Sequence, residues 1–473
     1  MNINVLINYP QPDVKTIDAL LEKEIAQSTT KLVVLDDDPT GVQTIHDISV
    51  YTDWSVESLR KGFREDNKVF FILTNSRGMT PVETTALHHE IVRNTAEAAR
   101  LENAKYLYMS RSDSTLRGHY PLETHLLKEG YETSTGSAVD GEILCPFFLE
   151  GGRYTINNIH YVRYGEELVP AAETEFAKDK SFGYTRSALP EYIEEKTQGA
   201  VKAADVLPIP LDLLRAVDID GIEKLLLGAQ NYRRICVNAI GYEDVKVFSI
   251  ALYRAMSKGK TFVFRTAAGL VKVMGGVSDR PLLTRREMCR KESKMGGLVV
   301  VGSHTKKTTA QLEALLALPG TEAIEFNSDL VLEGNDAFQA EIRRCVELET
   351  DIIRRGLTAV CYTRRTLLTL PDDTEKSALK RSVAISEGVQ RLVADLPVEP
   401  SFIVAKGGIT SSDIGVKALQ VRCANVMGQI CAGVPVWETD ATSRFPGIPY
   451  VIFPGNVGEN HTLREAVEKL LTP

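Results

Sequence analysis

Short apolar runs alternate with amphipathic stretches along the whole chain. In the first half, runs rich in β-branched and aromatic residues predict strands that end in polar side chains, at residues 31–38, 68–77, 105–113, 142–148 and 233–242. Between them apolar residues recur at helical spacing, as in residues 81–103, where Pro81 suits a first helical turn. This alternation is typical of α/β layers.

The pattern breaks between residues 275 and 297, which are dense in charge and bracketed by glycine pairs, and we predict an interdomain linker there. The order of strand, turn and helix then resumes in residues 296–318, 356–365, 401–419 and 449–471. We therefore expect two α/β domains, residues 1–285 and 286–473. Each should have a largely parallel sheet flanked by helices, with the active site in the cleft between the domains.

Composition narrows the class of protein without naming a function. The chain has 473 residues, of which 43% are hydrophobic and 25% charged, as in an ordinary globular protein. The net charge of −8 argues against a nucleic-acid coat, which would need a basic face. Seven cysteines without a Cys-x-x-Cys pair predict reduced thiols. Without a long apolar run or a leader-like start, we expect a cytoplasmic protein with no membrane partner, and we leave a homo-oligomer open.

Three carboxylates follow the first predicted strand, in the sequence LDDDPTG at residues 35–41. Such a group can hold Mg²⁺, bind sugar hydroxyls or accept a proton, and crowding of like charges raises at least one pKa. A solvated acidic loop with a helix cap is the alternative interpretation. Because ligands of open α/β sheets bind beyond the carboxyl ends of strands, the position favours a site.

A second polar loop follows the third predicted strand. It carries guanidinium, carboxylate and hydroxyl groups at Arg111, Asp113, Ser114, Thr115 and Arg117. Arginine binds carboxylate and phosphate groups in a bidentate manner, so the loop suits an anionic, hydroxylated ligand. Arg77 and Arg153 are single arginines at a strand end and a glycine turn, where taken singly a structural or exposed arginine is more common than a functional one.

Glycine and hydroxyl residues follow three predicted strands of the second half. These turns contain Gly302 and Ser303, then Gly407, Gly408, Thr410 and Ser411, and finally Gly455, Asn456 and Gly458. Glycines allow the backbone to approach a ligand, so three such turns together predict a phosphate-binding cradle. Neither a P-loop nor a G-x-G-x-x-G dinucleotide motif occurs in the sequence.

Several short motifs occur together in one order: DDDPTG (36–41), DSTLRG (113–118), GRYT (152–155), ETEFAKDKSFGY (173–184), FRTAAGLV (264–271), GGITSS (407–412) and PGN (454–456). In this combination the chain resembles the four-carbon acid sugar kinase family, whose members phosphorylate tetronate-type sugar acids with ATP. The resemblance implies an N-terminal substrate domain, a C-terminal nucleotide domain, and ATP with Mg²⁺ as cofactors.

The resemblance also implies site residues. For the sugar acid these are Asp37, Asp38, Thr40, Asp113, Ser114 and Arg117, and for ATP they are Ser303, Gly407, Gly408, Ile409, Thr410 and Gly455. We add Arg77 and Arg153 as candidates for the substrate carboxylate, and Asn456 beside Gly455. Three positions depart from the family pattern: relatives often carry Ala where this chain has Asp36, Asp where it has Thr44, and Glu where it has Ile409.

The expected reaction is transfer of the γ-phosphoryl group of ATP to a hydroxyl of a small sugar acid. One of Asp38, Asp37 and Asp113 would take the hydroxyl proton, and Mg²⁺ would spread charge on the transferring group.

Two other functions remain open from the sequence. The LDDDPT segment satisfies the D-x-D-x-T signature of haloacid dehalogenase-type phosphatases, with Asp36 as nucleophile and Asp38 as acid or base, and residues 70–76 resemble their second motif. That hypothesis lacks a late acidic pair for Mg²⁺ and leaves the second domain unexplained. A noncatalytic protein that binds a sugar acid or a nucleotide is the third alternative.

Overall fold

The structure is a computed structural model that describes residues 1–289, 293–366, 368–370, 372–455 and 457–472. The chain folds into two compact units, Met1–Asp279 and Arg280–Pro473. Each unit is a mostly parallel sheet flanked by helices, so the predicted α/β class is confirmed.

The first unit contains most of the strands. They are β1 (Lys31–Asp36), β2 (Ile48–Tyr51), β3 (Val69–Leu73), β4 (Tyr106–Arg111), β5 (Gly141–Cys145), β6 (Arg153–Ile156), β7 (Ile159–Tyr164), β8 (Glu167–Pro170), β9 (Leu207–Ile209), β10 (Arg233–Val237) and β11 (Phe262–Thr266). Its helices are α1 (Val14–Gln27), α2 (Val56–Arg64), α3 (Pro81–Glu102), α4 (Leu122–Thr135), α5 (Leu189–Lys196), α6 (Leu211–Arg215), α7 (Ile219–Leu227), α8 (Tyr242–Ser257) and α9 (Ala268–Met274).

The main sheet of the first unit has the strand order β2-β3-β1-β4-β11-β5-β10-β9. Its described pairings are parallel. Every residue of β3 is buried, as are all but the first of β1, because helices cover both faces of a parallel sheet. A separate antiparallel meander, β6-β7-β8, follows β5 in the chain.

Local sequence explains where the predicted helix α3 begins and ends. Thr80 accepts a hydrogen bond from the backbone N–H of Glu83, the Glu83 carboxylate accepts one from the Thr80 N–H at 2.8 Å, and Pro81 takes the first helical position. The helix ends at Asn103, which adopts the left-handed conformation with φ of 50°. The capping box and Pro81 together fix the entry of the chain into the helix.

The second unit has the same architecture on a smaller scale. Its strands are β12 (Leu298–Val301), β13 (Thr321–Phe326), β14 (Thr358–Thr363), β15 (Ile403–Lys406), β16 (Cys423–Cys431), β17 (Val434–Glu438) and β18 (Pro449–Phe453). Its helices are α10 (Arg285–Met288), α11 (Lys306–Leu316), α12 (Asn335–Arg354), α13 (Glu375–Ala394), α14 (Gly408–Asp413) and α15 (Thr462–Leu471). The order is β13-β14-β12-β15-β18-β17-β16, parallel as far as β18 and antiparallel through β17 and β16.

The predicted linker of residues 275–297 is wrong for much of its length. Residues from Arg280 onward belong to the second unit. Leu283 donates its backbone N–H to the Gln429 carbonyl at 2.7 Å, and both Leu283 and Met288 are buried in the core of that unit. The high charge of this segment led to the linker prediction, although Leu283 and Met288 pack into the core of the second unit.

All seven cysteines lie within the described residues, where none of them forms a disulfide, and five of them are buried. Among the described residues, no helix is both long and apolar enough to cross a membrane.

Candidate functional site

The carboxyl ends of four neighbouring strands of the first unit lie level with one another. In the strand register Asp36 of β1 pairs with Leu73 of β3 and Arg111 of β4, and Arg111 pairs with Thr266 of β11. The loops that leave these strands therefore meet at one edge of the sheet. Both polar loops predicted from the sequence lie at this edge.

Asp37 is the centre of this cluster. Its carboxylate accepts two hydrogen bonds from Arg77, at 2.6 and 3.2 Å, one from Arg111 at 3.3 Å, and one from the Ser112 hydroxyl. Burial favours the neutral acid, but the charges of Arg77 and Arg111 outweigh it and hold the pKa of Asp37 below its ordinary value. Asp37 is therefore an ionised anchor that fixes two guanidinium groups.

Asp36 has the opposite environment although it is the adjacent residue. It is fully buried, its Oδ1 lies 3.0 Å from Arg111 Nη1, and its Oδ2 has no hydrogen-bond partner among the residues that the structure describes. Burial, reinforced by the neighbouring carboxylates and only partly offset by Arg111, raises the pKa of Asp36 to about 7. A Cβ on Gly41 would lie 2.0 Å from Asp36 Oδ2, so glycine is required where that loop passes the carboxyl group.

Asp38 caps the short 3₁₀ turn Pro39–Val42. Its Oδ1 accepts hydrogen bonds from the Thr40 N–H at 2.8 Å and from the Thr40 hydroxyl, while its Oδ2 lies 3.3 Å from Arg77 Nη1. The Asp38 side chain is 20% exposed. Capping and ligand contact are compatible here, since the two carboxylate oxygens face different partners.

The loop Asp113–Gly118 closes on itself through Asp113. The Asp113 carboxylate accepts hydrogen bonds from Arg117 Nε at 2.7 Å and from the Thr115 hydroxyl. Although burial opposes it, the charges of Arg77 and Arg117 hold the pKa of Asp113 far below its usual range. Asp113 is thus an ionised group that orients Arg117.

Side chains from other elements fix the backbone of the same loop. His160 Nε2 lies 2.7 Å from the Ser114 carbonyl, and the Tyr184 and Tyr192 hydroxyls donate to the Thr115 and Leu116 carbonyls at 2.7 Å each. Burial lowers the pKa of His160 to about 4, so the ring is neutral at pH 7 and donates Nε2–H to the carbonyl. The loop is held rigidly before any ligand binds.

Phe176 brings Arg117 and Arg153 together. The two guanidinium carbons lie 5.1 and 5.7 Å from the centre of its ring. Arg265 of β11 adds a third arginine, since its Nη2 donates to the Arg117 carbonyl at 2.5 Å. Sequence reasoning named Arg117 and Arg153 but missed Phe176 and Arg265, although both lie within motifs that carried the resemblance.

The carboxyl ends of three neighbouring strands of the second unit also lie level with one another. Val301 of β12 pairs with Lys406 of β15, which pairs with Phe453 of β18. The three predicted glycine turns follow these strands and lie side by side, apart from Asn456, which falls outside the described residues.

Close packing joins the first two of these turns. A Cβ on Gly302 would lie 2.2 Å from Thr410 Oγ1, and one on Gly407 would lie 3.4 Å from the Cβ of Ser303. Gly407 also has φ of 124°, a conformation that other residues rarely adopt. The turn is therefore built from backbone that only glycine permits at these positions.

The remaining residues predicted to bind ATP lie around these turns. Ile409 is 74% exposed, and Gly455 has no atom within 4 Å of where its Cβ would stand. Two basic residues at this edge were missed by sequence reasoning: Arg365, which donates to the Ser303 carbonyl at 2.5 Å, and the buried Lys406. Neither residue belongs to a charge pattern that would indicate a binding site in the sequence alone.

Comparison with known protein families assigns a function class to both units. A family model described as a sugar-binding N-terminal domain matches residues 32–274, and one described as a nucleotide-binding C-terminal domain matches residues 298–463. The chain belongs to the four-carbon acid sugar kinase family. No curated protein sequence matches this family member significantly.

Solved structures of low sequence identity share the fold. One, described as a putative tRNA synthase from Salmonella typhimurium LT2, is 14% identical, covers 92% of this chain and 98% of its own, and has a TM-score of 0.65. Another, the Haemophilus influenzae protein HI1011 of the DUF1537 family, is 17% identical, covers 93% and 100%, and has a TM-score of 0.61. A third, from Bordetella bronchiseptica, is described as a domain-swapped dimer with bound citrate, but its TM-score is 0.36 at 20% identity and coverage of 93% and 98%.

The family assignment confirms the resemblance and the presence of sugar-binding and nucleotide-binding domains. It lends no support to the haloacid dehalogenase-type phosphatase. The burial of Asp36 agrees with that outcome, because the proposed nucleophile has no exposed surface. The roles of the individual site residues stay predictions.

Proposed function

We propose that this protein transfers the γ-phosphoryl group of ATP to a hydroxyl of a small sugar acid with about four carbons. The observation that carries the proposal is the pairing of a sugar-binding domain and a nucleotide-binding domain in one chain. The residues at the sheet edge of each domain suit the ligand that its domain would bind.

The arginines of the first unit support an acidic substrate. Arg77 donates all three of its guanidinium nitrogens to Asp37 and Asp38. Arg117 donates its Nε to Asp113, and it lies with Arg153 over Phe176. We therefore assign the substrate carboxylate to Arg117 and Arg153, since a guanidinium binds a carboxylate through two parallel hydrogen bonds.

Hydroxyl and carboxylate groups of the same edge complete the proposed sugar-acid site. Thr40 stands beside Asp38, and Ser114 lies in the loop that also contains Asp113 and Arg117. Alternating donors and acceptors of this kind match the hydroxyl groups of a sugar acid.

Exposure separates the three candidate bases. The Asp38 side chain is 20% exposed, against 2% for Asp37 and 11% for Asp113. Asp37 and Asp113 are also held ionised by arginines, which lowers their affinity for a proton. We assign the base to Asp38, with Asp37 and Asp113 holding the arginines in place.

The proposed phosphoryl transfer takes place in a single step. The substrate hydroxyl oxygen forms a bond to the γ-phosphorus, the bond from that phosphorus to the β–γ bridging oxygen breaks, and ADP leaves. The hydroxyl proton passes to Asp38. Little covalent chemistry falls to the protein in such a transfer, so most of its contribution is alignment and charge stabilisation.

On the nucleotide side, the turns at Ser303, Gly407–Thr410 and Gly455 would present backbone N–H groups to the phosphates. Within the described ranges, no group of three or more His, Cys, Asp and Glu side chains is placed to hold a metal ion. That part of the chain offers no such cluster for the predicted Mg²⁺, and we assign no step to it.

The test is a kinase assay of the full chain with Mg-ATP and a panel of four-carbon sugar acids, following ADP release and the phosphorylated product by ³¹P NMR. We expect turnover that depends on the acid and falls at least 100-fold in Asp38→Asn, because a positioned base contributes roughly 10²–10⁴-fold. The matched control is Asp220→Asn, whose side chain is 92% exposed and whose carboxylate lies 3.4 Å from Arg254, a residue outside the proposed site.

The alternative functions give different results in the same assay. Hydrolysis of sugar phosphates without ATP, lost in Asp36→Asn, would establish the phosphatase. A rise in melting temperature with sugar acid or ATP but no turnover across the panel would establish a binding protein and overturn the kinase.

A further inference from the structure

Lys406 is a buried cation at the proposed nucleotide edge. It is the last residue of β15, directly before Gly407, and none of its surface is exposed. A lysine in such a position is unusual because burying an ammonium group without a partner is costly.

Within the described part of the chain, the partners of this ammonium group lie at the end of β18 and in the turn that follows it. Its Nζ donates to the Pro454 carbonyl at 2.5 Å and to the Gly455 carbonyl at 3.2 Å, and it lies 4.4 Å from the centre of the Phe453 ring. Among the described residues no carboxylate forms an ion pair with it. Lys406 therefore bridges one glycine turn to the next.

Peptide geometry gives this bridge a consequence for ligand binding. The C=O and N–H of a trans peptide point to opposite sides, so directing the Pro454 carbonyl at the buried ammonium turns the Gly455 N–H away from the interior. The Gly407 N–H donates to the Phe453 carbonyl at 2.9 Å, which sets the spacing of the two turns.

We propose that Lys406 is a positioning residue for nucleotide binding: by holding the Pro454 and Gly455 carbonyls, it aims the backbone N–H of Gly455 at the phosphates. The inference rests on the proposed use of ATP, and it adds a residue that contacts the turn rather than the nucleotide.

The charges around Lys406 make the bridge sensitive to pH. Burial, together with the charge of Lys307 in the first turn of α11, lowers the pKa of Lys406 to about 7. On α14, Asp413 is paired with Lys417 at 2.7 Å. Loss of the proton weakens the attraction to the two carbonyls, so nucleotide affinity should fall as the pH rises through about 7.

The test compares Lys406→Met and Lys406→Arg with Lys469→Met in the full chain. Lys469 is the matched control because its Nζ also donates to a backbone carbonyl of the second unit, that of Ile430 at 2.8 Å. ADP and ATP binding is measured by calorimetry, and KM and kcat are measured where turnover is present.

We expect Lys406→Met to weaken ATP binding and raise KM for ATP at least 10-fold while KM for the sugar acid changes less than 2-fold. Lys469→Met should leave both unchanged, and Lys406→Arg should recover most of the affinity. Between pH 6 and 8.5 the affinity of the wild type should fall several-fold more than that of Lys406→Arg, whose guanidinium keeps its charge.

A folded Lys406→Met variant with wild-type ATP affinity overturns the inference. If that variant does not fold, matching pH profiles of the wild type and Lys406→Arg overturn it instead. A wild-type protein that binds no nucleotide removes the proposed function and this inference together, whereas one that binds ATP through Lys406 but phosphorylates no sugar acid removes the proposed function alone.

Discussion

The two units place a candidate site at the same edge of the same kind of sheet, but they build it from different parts of the chain. In the first unit the edge consists of charged side chains, with Asp37 binding Arg77 and Arg111 and Asp113 binding Arg117. In the second it consists mainly of backbone at glycine turns, tied together by one lysine.

The difference follows from what each site would recognise. A small acid offers a carboxylate and several hydroxyls in a fixed arrangement, which side chains of defined direction can match. Phosphate groups are met well by several N–H groups at once, which glycine-rich backbone supplies without side chains in the way. The carboxyl edge of a parallel sheet serves both, because it collects loops from strands far apart in the sequence.

Replacing Asp37, the central carboxylate of the first unit, tests whether charged side chains support the sheet edge of that unit. Asp37→Asn leaves the half-buried Arg77 and the buried Arg111 without their shared counter-ion, and we expect it to lower the free energy of unfolding of the first unit by about 3–5 kcal/mol. Ser303→Ala in the second unit should cost less than about 1 kcal/mol. Urea unfolding followed by circular dichroism measures both, with Asp220→Asn, at a side chain that is 92% exposed, as the control.

Equal losses in Asp37→Asn and Ser303→Ala would break the comparison, because they would mean that side chains support both edges alike.

Asp36 makes the stability of the first unit depend on pH. Its folded-state pKa of about 7 lies above the ordinary value of 3.8, so the unfolded chain ionises between about pH 4 and 7 while the folded chain keeps the proton. Stability contributed by the protonated group is present below pH 4 and is lost as the pH rises through about 7. Asp36→Asn cannot ionise, so at pH 8 it should exceed the wild type by about 2–4 kcal/mol.

The measurement is the free energy of unfolding from pH 4 to 8 for both proteins. A constant difference between wild type and Asp36→Asn across this range would show that Asp36 does not hold its proton in the folded state.

Substitutions at two glycines test whether glycine backbone forms the sheet edge of the second unit. Gly302→Ala would place Cβ 2.2 Å from Thr410 Oγ1 and should cost about 1–3 kcal/mol, recovered largely in the double variant with Thr410→Ala. Gly455→Ala meets no atom within 4 Å, so its stability should change by less than about 0.5 kcal/mol. If Gly455 lies against the phosphates as proposed, ATP affinity still falls.

Calorimetry with ATP and thermal unfolding separate the two variants. Wild-type ATP affinity in Gly455→Ala would remove that turn from the proposed site.

Much of the fold could be predicted because local patterns of apolar and polar residues indicate its strands and helices. The core of β1, β3, β4, β5 and β10 and the helix α3 appear as apolar runs and helical spacing with visible capping residues. The meander β6-β7-β8 and the strands β16 and β17 were not predicted, since their short runs are divided by turns and bulges. The segment after residue 279 was misassigned because its charge outweighed its two apolar anchors.

The sequence by itself determined which residues gather at the two sheet edges, since strand ends and turn glycines are local features. Only the tertiary structure decided which groups each of the three successive aspartates contacts. Asp37 contacts Arg77, which is 40 residues away in the sequence, and Arg111, which is 74 residues away. The Oδ2 of Asp36, by contrast, is buried beside Gly41. The groups that face a carboxyl group set its pKa, and the adjacent, chemically identical Asp36 and Asp37 therefore have pKa values shifted in opposite directions once the strands are paired.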